Sequence, residues 1–368
     1  MAIVAAVLPV ESEEQTGYSR PSSAEPNPMI PSTTSHLRLA LAVVLGFVTA
    51  SPAARAQEKT PDTLVVTLPA PPASAAAQPA WNSAAGSNAI PDHTLPTSSN
   101  GLIWKVSSRR STIYLLGSIH VGSSDMYPLP RHIEEAFRQS SMLVVEVDLN
   151  KIDRNKLEPL LMSKGMYPLH DSLWNHVSPE TKTLVTRFCD ENGLPSAAFA
   201  RVKPWLATVM ASMLPMQASG MTPELGIDQH FLNLAANTMR VEQLETAEWQ
   251  LRLLADIPES QQEQYLASTI KSAAVSQQVV NQFKSAWMTG DADKLDTLVS
   301  GAWEGASGLQ NKIFGDRNPH MADVAGQCLK NNQRCFVVVG AGHLVGHEGV
   351  VRLLQARGFK VEQLFSPN

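Results

Sequence analysis

Two short apolar runs in this chain each lead into the pattern Gly-x-x-His. Residues 113–116 precede Gly117-Ser118-Ile119-His120, and residues 336–339 precede Gly340-Ala341-Gly342-His343. A short apolar run bounded by glycine is typical of a buried strand. Open α/β sheets place their functional sites in the crevice at the carboxyl ends of such strands. The repeated pattern therefore predicts one shared site at one edge of a sheet, with an imidazole from each copy.

Carboxylates follow two further strand-like segments. Glu146, with Asp148 two residues on, ends one segment, and Glu245 ends another. Alternation along a strand would place Glu146 and Asp148 on the same face. Together with His120 and His343, Glu146 and Glu245 form a suitable ligand set for Zn²⁺, Mn²⁺, Fe²⁺ or Co²⁺. Such an ion would activate a water molecule, and a carboxylate that does not bind the ion could act as general base.

Each of these residues also has a structural interpretation. A histidine near a strand end is often a hydrogen-bonded structural residue, and Glu146 could pair with an arginine. His343 and His347 lie four residues apart, as in helical zinc-binding pairs, but Gly346 interrupts the helix that such a pair needs. We therefore expect His347 to be exposed.

Arg317 is the candidate electrophile. It lies in the segment Gly315-Asp316-Arg317-Asn318-Pro319, which opens the helix before the second histidine strand. Its guanidinium could stabilise an oxyanion or orient a substrate carboxylate. The alternative is a surface salt bridge at the start of the helix, with Asp316 or another carboxylate.

Composition divides the 368 residues into three parts. A basic residue, an apolar run at 39–48 and a small-x-small site at 54–56 indicate a secretory signal peptide over residues 1–56, with Met29 as a possible start. The apolar run is too short to span a bilayer, so no transmembrane helix is expected in the mature chain. A periplasmic or secreted location follows. The net charge of −5 disfavours nucleic acid as a partner.

Residues 57–100 are rich in Pro, Ala and Ser and are expected to form a disordered linker. Residues 101–368 are expected to form one domain. Strand-like segments lie toward both ends of this domain, and helical patterns dominate between them. The predicted fold is therefore α/β, a central mixed sheet that carries a large helical insertion.

The chain has three cysteines, Cys189, Cys328 and Cys335. In an oxidising compartment Cys328 and Cys335 could form a disulfide between a helix and the strand that follows it, and two free buried thiols are the alternative. Cys189 lies in a helical pattern and is expected to be a small core residue.

The predicted domain resembles the TraB/GumN family, also called Tiki, and specifically its bacterial members. Several motifs carry the resemblance because they occur together and in order over residues 102–364. They are Leu116-Gly117-Ser118-Ile119-His120-Val121-Gly122, Tyr127-Pro128-Leu129-Pro130, Val144-Val145-Glu146-Val147-Asp148, Gly226-Ile227-Asp228, Gln243-Leu244-Glu245-Thr246-Ala247-Glu248, Trp287-Met288-Thr289-Gly290-Asp291, Arg317-Asn318 and Gly340-Ala341-Gly342-His343-Leu344-Val345-Gly346.

The resemblance implies an α/β metal-dependent protease with manganese or cobalt. It places the site at His120, Glu146, Glu245, Arg317 and His343, with His120, His343 and Glu146 as the metal ligands. Animal members cleave secreted signalling proteins and are membrane-tethered. This chain shows no C-terminal anchor, so their substrate does not carry over.

Two functions follow from these observations. The first is an exported metal-dependent hydrolase, a peptidase that uses Mn, Co or Zn to activate water, with Glu146, Glu245 and Arg317 as catalytic residues. The second is a non-catalytic protein that captures a peptide or signal in the same crevice. The presence of His120, Glu146 and His343 favours the hydrolase, because a protein that only binds has no need of them.

Overall fold

The structure is a computed structural model that describes residues 99–273, 276–302 and 307–366. The predicted signal peptide at 1–56 and all but the last two residues of the predicted linker at 57–100 lie outside the described residues. Apart from Ser99 and Asn100, the described residues belong to the globular domain predicted at 101–368.

Six strands form one mixed sheet in the order β4-β3-β5-β2-β1-β6. β4, β3, β5 and β2 are parallel to one another, whereas β1 runs antiparallel to both β2 and β6. This mixed sheet with its helices confirms the predicted α/β fold. The strands are β1 (Ile103–Ser107), β2 (Thr112–Ser118), β3 (Met142–Val145), β4 (Arg240–Gln243), β5 (Cys335–Gly340) and β6 (Lys360–Leu364).

The central strands are apolar because the sheet is covered on both faces. All four residues of β3 and the first five of β5 are buried, as expected for parallel strands beneath helices. The two strands of the repeated pattern pair directly, with Gly117 of β2 opposite Val339 of β5. Both histidines therefore follow neighbouring strands at the same edge of the sheet.

Most of the helical sequence lies between β3 and β5, which confirms the predicted helical insertion. The described helices are α1 (Arg131–Arg138), α2 (Arg154–Gly165), α3 (Pro179–Glu191), α4 (Pro204–Ala218), α5 (Ile227–Ala235), α6 (Ala247–Ala255), α7 (Glu259–Ala273), α8 (Ser276–Thr289), α9 (Ala292–Ala302), α10 (Ser307–Gln310), α11 (Asn318–Lys330) and α12 (Val350–Ala356).

Helix boundaries follow local signals in the sequence. Ser178 caps α3 by accepting the Thr181 N–H, and Asp291 accepts the Lys294 N–H at the start of α9. The sequence predicts one long helix from 258 to about 288, and the structure gives α7 and α8 over this range, on either side of residues 274–275, which lie outside the described residues. Both helices pack on α4.

Two of the cysteines form a disulfide, and the third is a core residue. Cys328, near the end of α11, forms a disulfide with Cys335, the first residue of β5. The structure thus has the bridge rather than two free thiols. Cys189 is free and buried, which confirms its predicted place in the core. Among the described helices, none combines the length and apolarity that crossing a bilayer requires.

Candidate metal centre

The carboxyl ends of the four parallel strands bring the predicted site residues together. His120 follows β2, Glu146 follows β3, Glu245 follows β4, and His343 follows β5. Backbone hydrogen bonds extend the pairing past the strand ends, since the Glu245 N–H donates to the Glu146 carbonyl at 2.9 Å. Four residues separated by up to 223 positions therefore lie along one edge of the sheet, as the repeated pattern predicts.

Gly340 is the point on which three of these side chains converge. A methyl group on its Cα would lie 3.1 Å from Glu146 Oε1, 3.2 Å from His120 Nε2 and 3.5 Å from His343 Cδ2. The Gly340 N–H itself donates to Glu146 Oε1 at 2.5 Å. His343 Nε2 lies 3.7 Å from the same oxygen. The missing side chain of Gly340 thus leaves a small cradle lined by two imidazoles and a carboxylate.

The tautomer of each histidine is set by the hydrogen bond at Nδ1, the ring nitrogen that is not directed at Gly340. His343 Nδ1 lies 2.6 Å from Asn318 Oδ1, and the Asn318 amide donates from Nδ2 to the Glu348 carbonyl at 2.8 Å, which fixes Oδ1 as the acceptor. His120 Nδ1 lies 2.7 Å from Asp228 Oδ1. Each Nδ1 therefore carries the proton, and each Nε2 presents a lone pair.

Arg317 binds both carboxylates of the site. It precedes α11 and is 2% exposed. Its Nη2 donates to Glu146 Oε2 at 2.9 Å, and Nε and Nη2 each donate to one oxygen of Glu245 at 2.7 Å. The ion pair considered from the sequence is therefore present, but it is buried rather than on the surface, and its partners are Glu146 and Glu245. The role of Arg317 as electrophile stays a prediction.

Burial and charge set the ionisation of the two most buried site residues. Burial alone would raise the pKa of Glu146, but the positive charge around it, that of the Arg317 guanidinium included, holds this pKa well below its usual range. Burial, opposed by the Glu146 charge, holds the pKa of His343 well below its usual range. The site thus contains a carboxylate and a neutral imidazole, the forms in which both residues bind metals.

The structure also tests two other expectations, one for Asp148 and one for His347. β3 ends at Val145, so Glu146 and Asp148 do not alternate along a strand. Asp148 instead caps the short 3₁₀ segment Leu149–Lys151 and pairs with Lys151. His347 has a 91% exposed side chain, as expected, because the chain turns through a positive φ at Gly346.

Three residues of the site were not assigned roles from the sequence. Asp228 and Asn318 bind the histidine Nδ1 atoms, and Gln250 donates from Nε2 to Glu245 Oε2 at 2.8 Å and to Glu146 Oε2 at 3.2 Å. Asp228 and Asn318 lie in short motifs that contributed to the family resemblance, which was the signal available. Gln250 lies within α6, and nothing in its local sequence distinguishes it from an ordinary helical glutamine.

The donor set fits a divalent cation in its chemistry. Two imidazole lone pairs and a carboxylate are typical ligands of zinc and other transition metals. Within the described residues, however, no group of three or more His, Cys, Asp or Glu side chains is placed so that it could hold a metal ion. Both Glu146 oxygens accept hydrogen bonds, from Gly340 and from Arg317 and Gln250. A cation would therefore share Glu146 Oε1 with the Gly340 N–H.

Comparison with known proteins identifies the family. The model of the TraB/PrgY/gumN family matches residues 102–363. The chain belongs to that family. The matched range contains all the strands except the last residue of β6 and every site residue described above, which confirms the resemblance found in the sequence.

Relatives within the TraB/PrgY/gumN family are similar over most of their length. Two proteins named "Uncharacterized protein YbaP", from Escherichia coli and Shigella flexneri, are each 25% identical to this chain over 243 residues. The alignments cover 66% of this chain and 87% of each relative. No solved structure matches the chain.

Proposed function

We propose that this protein is an exported metal-dependent hydrolase that cleaves peptides. In this proposal His120, His343 and Glu146 hold one divalent ion, Mn, Co or Zn. The supporting observation is the cradle at Gly340, where Glu146 Oε1 and His120 Nε2 lie 3.1 and 3.2 Å from a single point, with His343 beside them. His343 Nε2 also lies 3.7 Å from Glu146 Oε1.

A divalent ion held there would supply Lewis acidity that activates water and polarises a carbonyl. The chain's own residues prepare the ligands for it. Burial keeps His343 neutral, and Asn318 directs its Nε2 lone pair toward Glu146. His120 is the most accessible of the three, with a 14% exposed side chain against 3% for His343. Substrate would therefore approach from the His120 side.

Arg317 and Glu245 act on Glu146 in this proposal. Arg317 holds Glu146 Oε2 and thereby turns Oε1 toward the histidines. Glu245 binds Arg317 through both of its oxygens, which fixes the orientation of the guanidinium relative to the two carboxylates. Any movement of Glu245 away from Arg317 would free a carboxylate beside the site, where it could accept a proton from water.

The location and substrate class rest on other observations. The Cys328–Cys335 disulfide supports an oxidising compartment, in agreement with the signal peptide expected at residues 1–56. A peptide substrate is the class that the family resemblance implies. The hydrolase is favoured over a non-catalytic binding protein because the cradle is lined by ligand atoms rather than by apolar groups.

The decisive experiment measures metal binding and cleavage in the same variants. Metal-free protein is titrated with Mn²⁺, Co²⁺ and Zn²⁺, the bound metal is quantified by mass spectrometry, and a peptide library is then offered to each loaded form. The His120→Gln/His343→Gln variant is expected to bind no metal and cleave nothing. His347→Gln removes an exposed histidine four residues from His343 and is the matched control, which should behave as wild type.

Two results would contradict the proposal. Equal metal content in wild type and the double variant would show that the two histidines are not ligands. Equal peptide binding by both proteins, without cleavage by either, would support the non-catalytic binding protein instead.

A further inference from the structure

Asp228 contacts His120 through the ring nitrogen that does not face the cradle. Its Oδ1 lies 2.7 Å from His120 Nδ1 and also accepts the hydroxyl of Ser118. Asp228 is 5% exposed and lies in the first turn of α5, distant in sequence from both partners.

The chain brings Asp228 to His120 by close backbone contact. The Ile227 N–H, at the start of α5, donates to the Ile119 carbonyl at 3.0 Å. Gly226 lies so close to the His120 carbonyl that a side chain at this position would collide with it. One further bridge pairs Gly122 with Thr222. The loop before α5 is therefore joined to the loop after β2, and Asp228 has little freedom to move away from the imidazole.

The two oxygens of Asp228 are used unequally. Ser118 and His120 both donate to Oδ1, whereas Oδ2 is buried and has no hydrogen-bond partner among the described residues. A buried carboxylate oxygen without a partner is costly. A carboxylate whose purpose was only to stabilise the fold would gain more from partners on both oxygens. The observed arrangement instead concentrates its acceptor strength on the His120 proton.

We infer that Asp228 is a positioning residue that holds the proton on His120 Nδ1 and so presents the Nε2 lone pair at Gly340. Carboxylates that bind the second nitrogen of a ligand histidine fix its tautomer and raise its basicity. The expected effect of Asp228 on metal binding rests on the proposed function. The control of the tautomer does not, because it is a property of the metal-free protein.

The substitution Asp228→Asn tests control of the His120 tautomer separately from metal binding. With the amide oxygen toward His120, the two amide hydrogens point to the buried position of Oδ2, where no acceptor is described. With the amide reversed, its NH₂ group faces His120 Nδ1, which must then accept. The second arrangement moves the imidazole proton to Nε2 and removes the lone pair from the cradle.

The experiment is nitrogen NMR of metal-free protein labelled with ¹⁵N in the histidine rings, at mildly alkaline pH. Comparison with His120→Gln assigns the His120 signals. Wild type is expected to show a protonated Nδ1 and an unprotonated Nε2, and Asp228→Asn is expected to show the reverse. Ser118→Ala is the matched control, because it removes the other hydrogen bond to Oδ1 and leaves the His120 contact. Its tautomer should not change.

Metal affinity gives a second readout. Asp228→Asn is expected to bind Co²⁺ or Zn²⁺ about 10- to 100-fold more weakly than wild type, with a normal circular dichroism spectrum. A wild-type His120 protonated on Nε2 would overturn the inference without any variant, and so would an unchanged tautomer in folded Asp228→Asn. Failure of wild type to bind metal would instead defeat the proposed function and leave the tautomer result standing.

Discussion

Glu146 is the residue that connects the two halves of the site. Its Oε1 faces Gly340 and the two histidines, and its Oε2 faces Arg317 and Gln250. A change on either side therefore reaches the other through one carboxylate. The lining of the cradle and the ion pair behind it can each be tested by a substitution on its own side of Glu146.

Gly340→Ala tests the cradle itself. The φ of −50° at Gly340 is accessible to alanine, so the backbone needs no rearrangement. The new methyl group would lie 3.1 Å from Glu146 Oε1 and 3.2 Å from His120 Nε2, where it would occupy the space between the proposed ligands. We expect metal affinity to fall at least about 10-fold, with a stability loss of about 1–3 kcal/mol from overpacking. Isothermal titration and urea unfolding measure the two effects.

The control for this variant is Gly326→Ala, in α11. A methyl group there meets Phe359 at 3.6 Å and Arg357 Nη1 at 4.0 Å, both ordinary distances, and the backbone is helical. Metal affinity should be unchanged, and stability should be equal or slightly higher. Metal binding by Gly340→Ala at wild-type strength would mean that the cradle is not where the ion lies.

Arg317→Met tests the ion pair. Removing the guanidinium leaves the buried carboxylates Glu146 and Glu245 without their shared cation, and breaking a buried pair in this way costs about 3–5 kcal/mol. Adding Glu245→Gln to that variant removes one of the two facing charges. We expect the double variant to be more stable than Arg317→Met, although Glu245→Gln alone is destabilising. Urea unfolding of the four proteins measures the coupling, and additive effects would show that Arg317 and Glu245 do not interact.

At the scale of single elements, the strands were the most predictable part of the structure. The runs before His120 and His343 are short, apolar and bounded by glycine, and they form the paired strands β2 and β5. This predicted the edge at which the site lies. The partners Asp228, Asn318 and Gln250 were not assigned, because their roles depend on side chains that meet only after the helices have packed on the sheet.

The failure at this scale has the same origin. Alternation predicted a shared face for Glu146 and Asp148, but β3 ends before either residue and Asp148 becomes a helix cap. Tertiary contacts decide this outcome, and a periodic pattern does not contain them.

The disulfide between α11 and β5 gives a prediction about thiol reactivity. Cys328 and Cys335 are bonded, and burial raises the pKa of Cys189 to about 11. The native protein should therefore react very slowly with a thiol reagent at pH 8, because little of the Cys189 thiol is ionised or accessible. The unfolded protein should show about one thiol without reductant and about three after reduction. Three thiols in the unfolded, unreduced protein would show that the disulfide does not form.

At the scale of the molecule, the two ends of the described chain meet. β1 and β6 pair along their length, with Ile103 opposite Leu364. The Asn100 N–H donates to the Met288 carbonyl at 2.6 Å, and the Ser366 N–H donates to the Asn100 side chain at 3.0 Å. β6 therefore forms the edge of the sheet beside β1. The site lies at the ends of the parallel strands, on the other side of β1.

A fragment of residues 99–366 is consequently expected to fold alone and to bind metal as the full chain does. Its melting temperature should lie within a few degrees of the full chain's, because the core and the hydrogen bonds that join its ends lie within it. A second fragment, 99–358, lacks β6 and exposes the edge of β1. Loss of the packing of Val361 and Leu364 costs about 2 kcal/mol or more, which lowers the melting temperature by at least about 4 °C. Calorimetry of the two fragments decides the boundary: equal melting temperatures would mean that β6 does not close the sheet, and an unfolded 99–366 fragment would mean that the domain needs residues before Ser99.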